Sequence, residues 1–153
     1  GLGWALDGCA APNFAVTLGG LARAMARMAS PEAGFGAGVR AAAAARLTAA
    51  MVAHPALVAG EGRASTGMMR ALGGRVAIKS GAEGVHVAIL RGRGLGVALK
   101  IEDGAGRAAE CAMAAILTRL GEDAAALAPW REAPVRTRAG AVAGAVRPGP
   151  ALA

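Results

Sequence analysis

Three features of the sequence predict an α+β chain. Its first half holds apolar residues at helical spacing. Its middle holds three short Val/Ile/Leu runs divided by glycine turns, and one more helical run follows them. Strand runs in direct succession, with no helix between them, point to an antiparallel sheet with helices packed on it. At 153 residues the chain is the size of one domain and long enough to bury a core. No repeat or linker divides it, so residues 1–153 read as one unit.

Residues 2–6 form a short strand, ended by Asp7-Gly8 and the Pro12-Asn13 turn. Leu18, Leu21, Met25 and Met28 then recur at helical spacing, with Thr17 as N-cap and Pro31 beyond the end. The Gly34-Phe35-Gly36 turn separates this helix from a second over residues 37–53, whose predicted core face is Val39, Ala43, Leu47 and Met51. His54-Pro55 stops it. A short helix over residues 65–72 ends at Gly73-Gly74. Strands follow at 75–80, 85–90 and 95–101, joined by Gly81–Gly84 and Gly92-Arg93-Gly94 as hairpin turns. A long helix over 105–120 presents Met113, Ile116, Leu117 and Leu120. A short helix near 123–127, an irregular Pro-bounded stretch and a strand at 140–146 complete the order. Trp4 and Trp130 are expected as core anchors.

The net charge of +7 invites a nucleic-acid reading, but the arginines are scattered singly and aromatic residues make up only 3%. Without a basic run or rings to stack on bases, nucleic-acid binding is not expected. No stretch approaches the roughly 20 apolar residues that span a bilayer, and Arg40 and Arg46 flank the alanine run at 41–45. No membrane association is expected. No charged region precedes the apolar opening, so no signal peptide is expected. Cys9 and Cys111 make no disulfide framework, which favours a cytoplasmic location.

Of the 17 cations only Lys79 and Lys100 are lysine. Where arginine is the general surface cation, a lysine stands out because its amine can give up a proton and a guanidinium cannot. Lys79 precedes Ser80-Gly81 at a strand end beside a glycine loop, where an ammonium can meet a substrate carboxylate and backbone can approach a ligand. Cys9, two residues after Asp7 in a turn, reads three ways: thiolate nucleophile, metal ligand or small buried hydrophobe. Asp7 alone reads as a turn residue. Lys100 is expected to pair with Glu102 or Asp103. His54 suits a helix end. His86 alternates with Val85 and Val87 and so faces away from them. Cys111 is expected to be inert.

Asp7-Gly8-Cys9-Ala10-Ala11-Pro12-Asn13-Phe14 resembles the Asp-Gly-Cys-Gly-x-Pro-x-Phe segment of the bacterial asparaginase II family, the Rhizobium type. It departs where Ala10 replaces the usual glycine. Lys79-Ser80-Gly81 is similar to the Lys-Ser/Thr-Gly signature of serine β-lactamases and penicillin-binding proteins, whose fold that family resembles. Gly94 to Gly104 also follows the family pattern, a strand ending in Lys-Ile-acid-Asp-Gly.

The resemblance runs through nearly the whole chain. It implies the C-terminal portion of one β-lactamase/glutaminase-like domain, with the N-terminal half expected upstream of residue 1. It implies an amidohydrolase that converts L-asparagine to L-aspartate and ammonia. Asp7 and Lys79 would be catalytic groups, and Asp7, Lys79, Ser80 and Gly81 would line the substrate pocket. Cys9 would be a zinc ligand, shared with a Cys-Ser-Gly-Lys-His motif that this sequence lacks. A serine-lysine pair, expected upstream, would supply the nucleophile and its base. The resemblance also allows a homodimer. Taken alone, the 153-residue chain is expected to be inactive.

Two other readings stay open at this point. A serine peptidase or lactam-hydrolysing enzyme would share Lys79-Ser80-Gly81 but would not require Asp7-x-Cys9. A non-catalytic basic binding module would require neither.

Overall fold

The computed structural model describes residues 3–152. Its order is β1 (Trp4–Leu6), β2 (Pro12–Phe14), α1 (Leu18–Ala29), α2 (Pro31–Phe35), α3 (Val39–Ala53), α4 (Pro55–Ala59) and α5 (Ala64–Ala71). There follow β3 (Val76–Ser80), β4 (Val85–Leu90), β5 (Leu95–Lys100), α6 (Gly106–Arg119), α7 (Ala124–Arg131), β6 (Ala133–Arg136) and β7 (Val142–Val146). The α+β expectation holds. The central meander is a three-stranded antiparallel sheet in the order β3-β4-β5, with separate hairpins β1-β2 and β6-β7 before and after it. Among the described residues no helix is long and apolar enough to cross a membrane.

The sheet is covered on both faces. One face buries Val76, Ile78, Ala88 and Leu90 against Met68, Met69 and Leu72 of the α5 region and Met113 and Leu117 of α6. The other buries Ala77 and Ile89 against Ala29, Met25 and Met28 of α1 and Met51 and Val52 of α3. This alternation follows from the period of two along each strand.

α1 lies directly on β5 because Gly96 has no side chain. A Cβ there would stand 2.2 Å from the Ala26 nitrogen and 2.3 Å from the Ala22 carbonyl oxygen. Thr17 caps this helix as expected, accepting the Gly20 N–H at 3.0 Å. At the far end of the sheet Glu122, only 8% exposed, takes Arg75 at 3.2 Å and Arg93 at 3.4 Å. A buried carboxylate needs such partners, and these two tie the loop after α6 to the strand ends.

Several expectations require correction. α3 buries Ala41, Ala44 and Thr48, while Val39 is 89% and Leu47 60% exposed and Ala43 is exposed too, so of the predicted face only Met51 packs on the core. Alanines allow the closest approach of the helix, and they set its rotation ahead of the larger side chains. Trp4 is 64% exposed and anchors no core, whereas Trp130 does pack against the main cluster. Lys100 donates to the backbone carbonyls of Glu83 and Ile101 instead of pairing with Glu102 or Asp103. Pro12 and Asn13 lie in a strand instead of a turn, Gly34 and Phe35 end a short helix that Gly36 caps, and Pro55 opens α4 instead of a loop. α7 runs on through Pro129 to Arg131, and Ala133–Arg136 is a strand that Pro134 concealed in the sequence.

Candidate active site

β3 is an edge strand, and its C-terminal end carries Lys79 and Ser80. Lys79 lies in register with Val87 and Ala98, on the α1 side of the sheet. Ser80 lies opposite His86, which in turn lies opposite Leu99, on the α5 and α6 side. Lys79 is exposed and its Nζ donates to the Ser80 carbonyl. The tight connection to β4 is closed by the Gly81 N–H on the Val85 carbonyl at 2.6 Å. Gly84 sits at φ 69, where a side chain would meet Ile101 at 2.9 Å, so only glycine fits that corner.

A cleft of about 380 Å³ wraps this strand end. Lys79, Ser80 and Gly81 line it from the strand, and Ser65 and His86 line it from the core side. Arg63 adds a second positive charge to Lys79, and Glu83 and Glu110 add two negative ones. Such a mixture of signs suits a zwitterion better than a simple anion. Ser65 is held in place because α5 is braced on α4: the Thr66 hydroxyl donates to the Gly60 carbonyl at 2.6 Å and the Pro55 carbonyl at 3.2 Å. Arg70 fixes the loop that carries Arg63 through a paired contact with Glu61 at 2.7 and 2.9 Å. That hydrogen-bonded guanidinium holds the Glu61 carboxyl below its ordinary range. A larger cavity of about 650 Å³ between α1 and α3 is walled chiefly by alanine, with Glu32 its only charged group, and offers no comparable chemistry.

Asp7 and Cys9 lie elsewhere, on the exposed turn of the β1-β2 hairpin, and neither lines the cleft. One oxygen of Asp7, Oδ1, accepts the Cys9 N–H at 2.8 Å and the Ala11 N–H at 3.1 Å, which shapes the turn. Ala10 sits at φ 57, the left-handed region that favours glycine. The hairpin does enter the molecule at the cleft end of the sheet. α1 runs antiparallel to β5, since a Cβ at Gly94 would touch Ser30 and one at Gly96 would touch Ala22 and Ala26. The α1 N-terminus, to which the hairpin is joined, therefore points toward Lys100, Val85 and Gly81.

Zinc, implied by the resemblance, needs three or four donors. Among the described residues no group of three His, Cys, Asp or Glu side chains could hold a metal. The residues of this chain do not fit a zinc site by themselves. Cys9 offers one thiol, and its nearest carboxylate is engaged by the backbone.

The α+β chain thus carries a Lys-Ser-Gly strand end that walls a polar cleft. The profile of the L-asparaginase II family matches residues 1–148, and the chain belongs to that family. No curated protein matches it.

Sequence reasoning set His86 aside as an isolated group and did not single out Ser65, Arg63 or Glu110. For His86 the signal was present in the alternation opposite Val85 and Val87. The other three come from the start of α5 and from α6, and only the fold brings them to Lys79.

Proposed function

We propose that the chain forms one wall of an amidohydrolase site that converts L-asparagine to L-aspartate and ammonia. The observation that carries this reading is the cleft at the end of β3, where Lys79, Ser80 and Gly81 meet groups of both charges. In this reading the Lys79 ammonium stabilises negative charge, either the α-carboxylate of the substrate or the oxygen that becomes anionic as the amide carbonyl is attacked. Gly81 leaves the backbone open to a ligand, and Ser80 offers a hydroxyl beside it. Asp7 stands on the hairpin outside this cleft, so its part in the reading, contact with the α-ammonium group, rests on the family motif alone. The nucleophile is the serine of the family's serine-lysine pair, a motif this sequence does not contain. Zinc enters only through Cys9, as one thiolate of a set whose other donors the sequence does not supply.

The test is ammonia release from L-asparagine by the complete native protein. Lys79→Ala is expected to lower kcat/KM by about a hundredfold or more, the usual loss when one charge-stabilising donor is removed. Unchanged kcat/KM with native thermal stability would remove Lys79 from the site.

A further inference from the structure

His86 is 5% exposed, and its Nδ1 is the one buried side-chain nitrogen or oxygen without a hydrogen-bond partner among the described residues. The other buried polar groups with resolved bonds are accounted for: Glu122 by Arg75 and Arg93, Thr48 and Thr66 by backbone carbonyls. The position does not need an imidazole for packing. Its neighbours on the same face of β4, Ala88 and Leu90, belong to the apolar core, and β5 sets Leu99 beside it. A leucine or valine would continue that core at no polar cost, whereas an unmet buried nitrogen is destabilising. Yet His86 also lines the polar cleft, as do Ser80, its partner in the β3-β4 register, and Ser65. Arg63 before α5, Glu110 on α6, Glu83 after β3 and Lys79 on β3 line the same space.

We propose that His86 is a ligand-contacting residue of this cleft, holding a carbonyl-type oxygen of the bound amino acid through its ring. The inference rests on the asparaginase reading of the cleft and adds to it a group that neither the family motif nor the strand-end signature contains. It accounts for an imidazole at a position where packing alone would favour an apolar side chain, since the residue also lines the polar cleft.

The experiment uses the complete native protein and L-aspartate, the product, as probe. Ring nitrogens of 15N-labelled histidine are followed by NMR during the titration, with the His86 signals assigned by their loss in H86Q. Calorimetry gives the affinity of the native protein, H86L and H86Q. The expected result is a saturable shift of the His86 signals with His54, exposed at the end of α3, unmoved. H86L should bind about tenfold more weakly, H86Q should recover part of that loss, and H86L should unfold at the same temperature as the native protein or higher. A purely structural histidine would behave in the opposite way, with stability lost and affinity kept. Binding of L-aspartate with unmoved His86 signals and equal affinity in H86L would overturn the inference and leave the reading of the cleft standing. No binding by the native protein would overturn both.

Discussion

The β1-β2 and β3-β4 hairpins each carry candidate site residues, and they are held in opposite ways. In the second, Val76, Ile78, Ala88 and Leu90 are at most 1% exposed, so the core of the domain dictates where Lys79 and Ser80 stand. In the first, every described residue is exposed. Its register pairs Trp4 with Phe14 and Leu6 with Pro12, which gathers four apolar side chains on one face with nothing from the main sheet clusters against them. A two-stranded hairpin is marginal by itself. The geometry of Asp7 and Cys9 thus rests on local hydrogen bonds, and that of Lys79 rests on burial. The family motif is placed by a few bonds, the strand-end signature by a core.

The largest effect that separates the two regions comes from adding one methyl group. Gly96→Ala would drive a Cβ into the α1 backbone, against atoms of Ala22, Met25 and Ala26 at 2.2 to 2.6 Å. Overpacking against backbone that cannot yield is expected to cost about 3 kcal/mol and to lower the unfolding temperature by roughly 10 °C. Gly8→Ala, on the exposed turn with nothing within 4 Å, should change stability by less than about 0.5 kcal/mol. Equal melting curves for the two variants would mean that α1 does not rest on β5.

The cysteines report the same contrast chemically. Cys9 is exposed, while Cys111 is buried with its Sγ on the Arg131 carbonyl at 3.3 Å. Burial pushes the Cys111 thiol above its ordinary pKa. Since only the thiolate attacks, alkylation at neutral pH should modify Cys9 at least about a hundredfold faster than Cys111, as read by mass spectrometry. Comparable rates would place Cys111 in an open region. The linkage has a definite sign: the folded state holds the Cys111 proton more tightly than the unfolded one. Its contribution is therefore whole at neutral pH and is lost as pH rises into the alkaline range where the unfolded thiol ionises. Cys111→Ala should flatten that alkaline decline.

What was legible in the sequence follows the same division. The three core strands were readable because Val, Ile and Leu runs broken by glycine leave few alternatives, and their observed bounds differ from the predicted ones by a residue at one end or none. The short elements Pro12–Phe14, Pro31–Phe35 and Pro55–Ala59 were not, since three to five residues carry no period and each opens on a proline that also reads as a break. The rotation of α3 was illegible because alanine contributes little to an apolar face, although it packs closest. Of the candidate site, Lys79-Ser80-Gly81 was visible in the chain itself; Asp7 and Cys9, which the family motif marks, lie outside it. For His86 the alternation was visible, and the register adds its pairing with Ser80 on the neighbouring strand.

The smallest effect tests the local bonds of the first hairpin. Ala10 stands at φ 57, where the family has glycine, and its N–H donates to the Asp7 carbonyl at 3.0 Å. A left-handed conformation costs a residue with a Cβ about 1 kcal/mol, and part of that is offset because glycine loses more freedom on folding. Ala10→Gly should then steady the turn by about 0.5 kcal/mol. Because every described residue of the hairpin is exposed, the global melting temperature should not register the change. Amide exchange at Cys9 and Ala11, whose N–H groups bind Asp7 Oδ1, should slow by about twofold, with the β4 amides unaltered. Faster exchange at those two amides would show that Ala10 does not hold the left-handed turn. The substitution of the family glycine would then have to be explained by something other than backbone strain.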